Sequence, residues 1–186
     1  MYIGHVGAAL AAKRVRKSIG LLVLLIATYT PDWVDTGLCV MGRYNDQQLW
    51  SHSIPAVSVF ALIAFALYAV LAGDVKGAFV VGAVIVSHML LDWITGYKPT
   101  WPGGPMIGLR LYDHPMADFL VEAVVIAAGA ALYARTLPMP VNVGEPTDRG
   151  PFSSRWNDAA VMFGTLVALQ LTVDFGHLVM RNIAKC

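Results

Sequence analysis

From Pro55 to Ala72 the chain reads PAVSVFALIAFALYAVLA, with no charged side chain. A helix rises about 1.5 Å per residue and the hydrocarbon layer of a bilayer is about 30 Å thick, so a run of this kind predicts a membrane span. Composition extends the constraint to the whole chain. Of 186 residues, 57% are apolar and 13% charged, against roughly 45–50% and about 25% in soluble domains, which excludes an ordinary water-soluble globule. Thirteen Lys and Arg against twelve Asp and Glu leave a net charge of +1. With no surplus of positive charge to neutralise a phosphate backbone, nucleic acid is not an expected partner. Cys39 and Cys186 lie far apart and form no C-x-x-C; we read them as incidental.

The pattern predicts an all-α, polytopic membrane bundle of about six helices in a single integral membrane domain, residues 1–186. The first two candidates, Gly4 to Val15 and Ser18 to Thr30, are short for full spans. They predict a re-entrant or partly inserted hairpin with the KRVRK turn at one surface, the second helix being stopped by Pro31. Because those basic residues follow an apolar segment, the start is not expected to be a cleaved signal. A polar loop is expected over Asp32 to Ser53, then an antiparallel pair, Pro55 to Ala72 and Lys76 to Trp93, broken at Gly73-Asp74. Gly96 to His114 is too rich in glycine and proline to span and should lie at the surface or fold over a cavity. Helix five is expected from Pro115, with His114 as its cap, to Arg135, and helix six from Asn157 to Met180.

Each hairpin reverses direction, and this parity sorts the polar residues. His5, His52, His88, His114 and His177 all fall on one membrane face, with Asp32, Asp35, Asp92, Asp118 and Asp174 as acidic neighbours. His88 and Asp92 are four apart on a helix, hence on one side and within reach of one ion. His114, Asp118 and Glu122 repeat that spacing twice. Imidazole with carboxylate is a ligand set for zinc, iron or manganese, and ionisable residues at membrane depth are costly enough to suggest function. A charge-assisted pair between helices is the bland account of His88 and Asp92. Trp33, Trp50, Trp93, Trp101 and Tyr97 fall near the same surface, where aromatic anchoring explains them.

The segments GHVGAALAAKRV, TPDWVD, LWSHSIPA, SHMLLDWITGYKPTWPGGP and GLRLYDHPMADFLVE, in that order, resemble the membrane-bound metal-dependent hydrolases, the group that includes the LexA-binding inner-membrane-associated hydrolases. The likeness covers about residues 1–135 and leaves an additional C-terminal helix at about 157–180. It implies functional positions at His5, Asp32, His52, His88, Asp92 and Glu122. Where a closer branch resembles GLGLWNS, this chain reads GLRLYDH, which makes Arg110, Asp113 and His114 its own. A more distant likeness is to the zinc-dependent phospholipase C fold, whose order of ligands is matched by His5, Asp32, His52, His88 with Asp92, and His114 with Asp118.

The expected function is therefore an integral membrane hydrolase that cleaves a lipid phosphoester with metal-activated water, using one to three divalent ions, zinc by preference. His5, Asp32, His52, His88, Asp92 and His114 are the expected ligands. Asp118 or Glu122 would hold a second ion or act as general base, and Arg110 or Lys98 would bind an anionic head group. Membrane lipid is the expected partner, and a prokaryotic inner membrane the expected location. Lys13, Arg14, Arg16, Lys17, Lys76, Arg135, Arg149 and Arg155 crowd the histidine-free face, against Arg43, Lys98, Arg110, Arg181 and Lys185 opposite. The positive-inside tendency then puts the histidines on the extracytoplasmic side. The rival readings are a divalent metal or proton transporter using the same residues, and a scaffold stabilised by metal.

Overall fold

The computed structural model describes residues 3–43, 50–137 and 151–180, with the side chains of 151–155 and 173–180 left out. Among these, seven helices account for nearly all the regular structure: α1 Gly4–Val15, α2 Leu21–Thr28, α3 Thr30–Val40, α4 Ile54–Ala72, α5 Val75–Thr95, α6 Pro115–Ala134 and α7 Pro151–Met180. Two-residue strands β1 Lys98–Pro99 and β2 Met106–Ile107 pair antiparallel, Lys98 with Ile107 and Pro99 with Met106. The all-α expectation holds. Three helices, α4, α5 and α6, are long and apolar enough to cross a membrane. Only 6% of the apolar stretch of α4 is buried, so Leu62, Ile63, Leu67 and Val70 face outward, a surface that suits lipid rather than water.

Two expectations are corrected. The last helix begins at Pro151 rather than Asn157, since proline suits a first turn. Pro31 does not close a helix before a polar loop; it lies in the first turn of α3. Proline lacks only an N–H that the first turn would leave unbonded, so it starts a helix as readily as it ends one. The chain bends at Tyr29, which caps α2 and precedes α3. Asp32 thereby sits in a helical first turn, where the helix dipole favours a carboxylate. Cys39 lies on α3, and Cys186 lies outside the described residues.

The core is centred on α5. Its buried residues Ala78, Val81, Val84, Ile85, His88, Met89, Asp92 and Thr95 recur at helical spacing, so the apolar stripe runs directly into the His88–Asp92 pair. Around it pack α1, α2 and α4, while α1 also lies along α6. That last contact is close because both partners lack a side chain. A Cβ at Gly7 would stand 2.5 Å from Val125 O, and one at Gly129 would collide with Gly7 O. Small residues at a crossing let helix backbones approach in a membrane, where apolar burial alone gives little drive to associate.

At the opposite end from His88, Arg16 grips Asp74 through two bonds, Nε to Oδ2 at 2.9 Å and Nη2 to Oδ1 at 3.0 Å. Asp74 also caps α5 by accepting from Gly77 N at 2.9 Å. Arg16 and this backbone donor hold the Asp74 carboxyl below the ordinary carboxylate value. A carboxylate with a depressed folded value contributes stability above its unfolded pKa and loses it as pH falls through the folded one. Asp74→Asn is therefore expected to lower the melting temperature in detergent at pH 7. The difference from wild type should close as pH drops below about 4; a gap that persists unchanged at pH 2 would contradict this role.

Candidate metal centre

Four elements bring acidic and imidazole side chains to one end of the bundle. α1 supplies His5, the first turn of α3 supplies Asp32, a 3-10 turn at Trp50–His52 supplies His52, and the last turns of α5 supply His88 and Asp92. His5, His52, His88 and Asp92 are buried, while the Asp32 side chain is 43% exposed and forms the open side.

The spacing is specific. His52 Nε2 lies 3.2 Å from His88 Nε2, 3.2 Å from Asp32 Oδ1 and 3.3 Å from Asp92 Oδ2. His88 Nε2 lies 3.7 Å from Asp32 Oδ1 and 3.6 Å from Asp92 Oδ2. A tetrahedron with ligands about 2.0–2.1 Å from its centre, as zinc prefers for nitrogen and oxygen, has edges of about 3.3–3.4 Å. Asp92 turns its other oxygen, Oδ1, to His5 Nε2 at 3.2 Å, and the His5 and His88 rings stack 3.8 Å apart. Two ligand groups result, His5–His88–Asp92 and Asp32–His52–His88. Both groups use His88, so they overlap and describe alternative positions for one ion.

Asp35 is not among the expected ligands and is the clearest addition to the site. Its Oδ2 lies 3.1 Å from His52 Nδ1, and Ser51 Oγ bonds to both Asp35 Oδ1 and His52 Nδ1. Such a carboxylate fixes the tautomer and ring orientation of an imidazole whose other nitrogen faces an ion. Burial opposes charge on both Asp32 and His52, yet their partners outweigh it: His52 and His88 lower the Asp32 value, while Asp32 and Asp35 raise that of His52. Asp35→Asn is expected to weaken zinc binding about 10–100-fold with the fold intact, measured by competition with a chelator of known affinity. An unchanged affinity would leave Asp35 no part in orienting His52.

The remaining site residues fall elsewhere. His114 is exposed at the N-cap of α6, as the Pro115 start predicts, and belongs to neither ligand group. Asp118 and Glu122 are buried on α6 outside those groups. Glu122 Oε2 instead accepts from Gly4 N at 3.0 Å and Ile3 N at 3.2 Å, and Gln170 Oε1 of α7 accepts from Ile3 N at 3.0 Å. Glu122 thus caps the start of α1, and Gly129, on the same buried stripe of α6, abuts Gly7 of that helix. Lys98, on β1, brings Nζ to 3.4 Å from Asp92 Oδ2, and the Arg110 guanidinium lies 3.9 Å over the Tyr97 ring. The segment 96–114 is stitched over the end of α5 by Leu109 N to Trp93 O and Arg110 N to Gly96 O, and to α4 by Ile54 N to Thr100 O. Trp33, Trp50 and Trp101 are exposed at this end. Asp174 and His177 have side chains outside the described residues.

No curated protein and no solved structure matches the chain. Residues 1–175 match the family described as YdjM inner membrane protein, a range that takes in every element supplying the His/Asp array and most of α7. With three helices able to cross a bilayer, the chain belongs to the YdjM inner membrane protein family.

Proposed function

We propose that the chain is a metal-dependent hydrolase of the inner membrane that cleaves a phosphoester of a membrane lipid. The observation that carries this reading is the Asp32–His52–His88 group, whose ligand atoms lie 3.2–3.7 Å apart and are buried except toward Asp32, three donors that leave the fourth position of a tetrahedral ion open to water. Zinc fits the nitrogen and oxygen donors, and when bound it would polarise a phosphoryl oxygen and supply hydroxide near neutral pH. The chain's own residues do the rest. Asp35 holds the His52 ring, Glu122 and Gln170 hold the start of α1 and so place His5, and Lys98 sets a positive charge beside Asp92 where phosphate oxygens would lie. Glu122 is thus a positioning residue in this reading.

An extracytoplasmic array accords with the basic residues gathered at the other face, Lys13, Arg14, Arg16 and Lys17 foremost. Against a transporter stands the core beyond the array: the next buried residues along α5 are Ile85, Val84, Val81 and Ala78, which offer an ion no further ligand. Zinc-loaded protein in mixed micelles of phospholipid and detergent is expected to release a phosphorylated or dephosphorylated product without any sealed compartment. Zinc uptake by sealed proteoliposomes with no turnover in micelles would replace the hydrolase by the transporter.

A further inference from the structure

A pocket of about 340 Å³ opens beside the array, lined by Gly96, Tyr97, Lys98, Arg110, Tyr112 and Asp113. Arg110 is its unusual member. It is the one non-glycine with positive φ among the described residues, at 54°, a left-handed conformation that crowds a Cβ against the following carbonyl. Hydrogen bonds keep it there: Arg110 N donates to Gly96 O at 3.1 Å, and Arg110 O accepts from Asp113 N at 3.0 Å. The strained backbone holds the guanidinium over Tyr97, with no ion pair to Arg110 or to Asp113 among the described residues. Lys98, from the same lining, reaches Asp92, so the pocket adjoins the ligand atoms. Ile26 of α2 and Thr30, Trp33 and Val34 of α3, which flank Asp32, line a separate apolar groove of about 410 Å³.

We propose that the Tyr97–Arg110 pocket is the subsite for a zwitterionic lipid head, one in which an ammonium follows the phosphate. Lys98 and Arg110 take the phosphate oxygens, the first as a point charge and the second as a fork. Asp113 takes the ammonium, which the face of Tyr112 also favours. A head that ends in a neutral diol or a second anion gains nothing from Asp113 or is repelled by it. The groove beside Asp32 receives an acyl chain, so the ligand is a lipid rather than its free head. The direction of the phosphate, toward the array, rests on the hydrolase reading; the binding itself does not.

The test is therefore made on full-length protein in a chelator, where no hydrolysis occurs. Quenching of aromatic fluorescence is followed on titration with detergent micelles carrying phosphatidylethanolamine, micelles carrying phosphatidylglycerol, or soluble O-phosphoethanolamine. Phosphatidylethanolamine is expected to bind about tenfold or more tightly than either alternative. Arg110→Gly, which suits the left-handed backbone and so keeps the turn, should lose about 10–100-fold in affinity for both lipids. Asp113→Asn should erase the preference between them. Equal binding of the two lipids by wild type, full affinity in a folded Arg110→Gly protein, or soluble head binding as tightly as the lipid would each overturn the proposal. Selective binding with no turnover once zinc is restored would instead sink the hydrolase reading and leave the subsite standing.

Discussion

His88→Ala is expected to lower the affinity for zinc by roughly two to three orders of magnitude while leaving the helical content of the detergent-purified protein unchanged. His88 belongs to both ligand groups, so no alternative position avoids it. A structural zinc site with four ligands is worth about 10–16 kcal/mol, which puts one ligand at roughly 2.5–4 kcal/mol. The fold should survive, because the apolar stripe of α5 that precedes His88 packs against α1, α2 and α4 independently of the array. Asp92→Asn keeps the size of the side chain and removes its charge, and is expected to follow the same course. Chelator competition together with circular dichroism separates the outcomes. Wild-type affinity in a folded His88→Ala protein would mean that the imidazoles hold no ion.

Gly7→Val is expected to cost at least about 1–3 kcal/mol, the range for overpacking a filled interior. The obstacle at Gly7 is backbone, Val125 O at 2.5 Å and Val125 C at 2.8 Å, which cannot turn aside as a side chain would. α1 and α6 must separate, and His5 lies only two residues away on α1, so zinc affinity should fall along with stability. At Gly164 on α7, by contrast, an added Cβ would meet nothing within 4 Å, and Gly164→Ala should be neutral or slightly stabilising. Melting temperatures of the two variants in one detergent decide the matter. Equal stability would mean that α1 and α6 do not pack as described.

The long apolar runs were legible to within a residue or two, because a span leaves no choice but a continuous helix. α4, α5 and α6 start and stop where Pro55, Gly73-Asp74 and Pro115 indicate. α3 was not, because proline signals both the end of one helix and the start of the next. That error left Asp35 as an acidic neighbour without a partner. With Pro31 read as a first-turn residue, Asp32 and Asp35 are three apart on one helical face, one turned to the His52 Nε2 edge and the other to Nδ1. Parity brought His5, Asp32, His52, His88 and Asp92 to one end, and the structure gathers those five. It does not gather His114 or Glu122: parity assigns an end of the bundle but no direction around a helix axis, and the α6 stripe turns toward α1. The pairing of Gly7 with Gly129 had no signature in a chain with seventeen glycines.

Elemental analysis of detergent-purified wild-type protein, dialysed against zinc-buffered solution, tests the central claim most directly. The account predicts at least one tightly held zinc per chain, and none retained in the Asp32→Asn, His88→Ala double variant. Wild-type protein that is folded yet holds no stoichiometric divalent ion would contradict it.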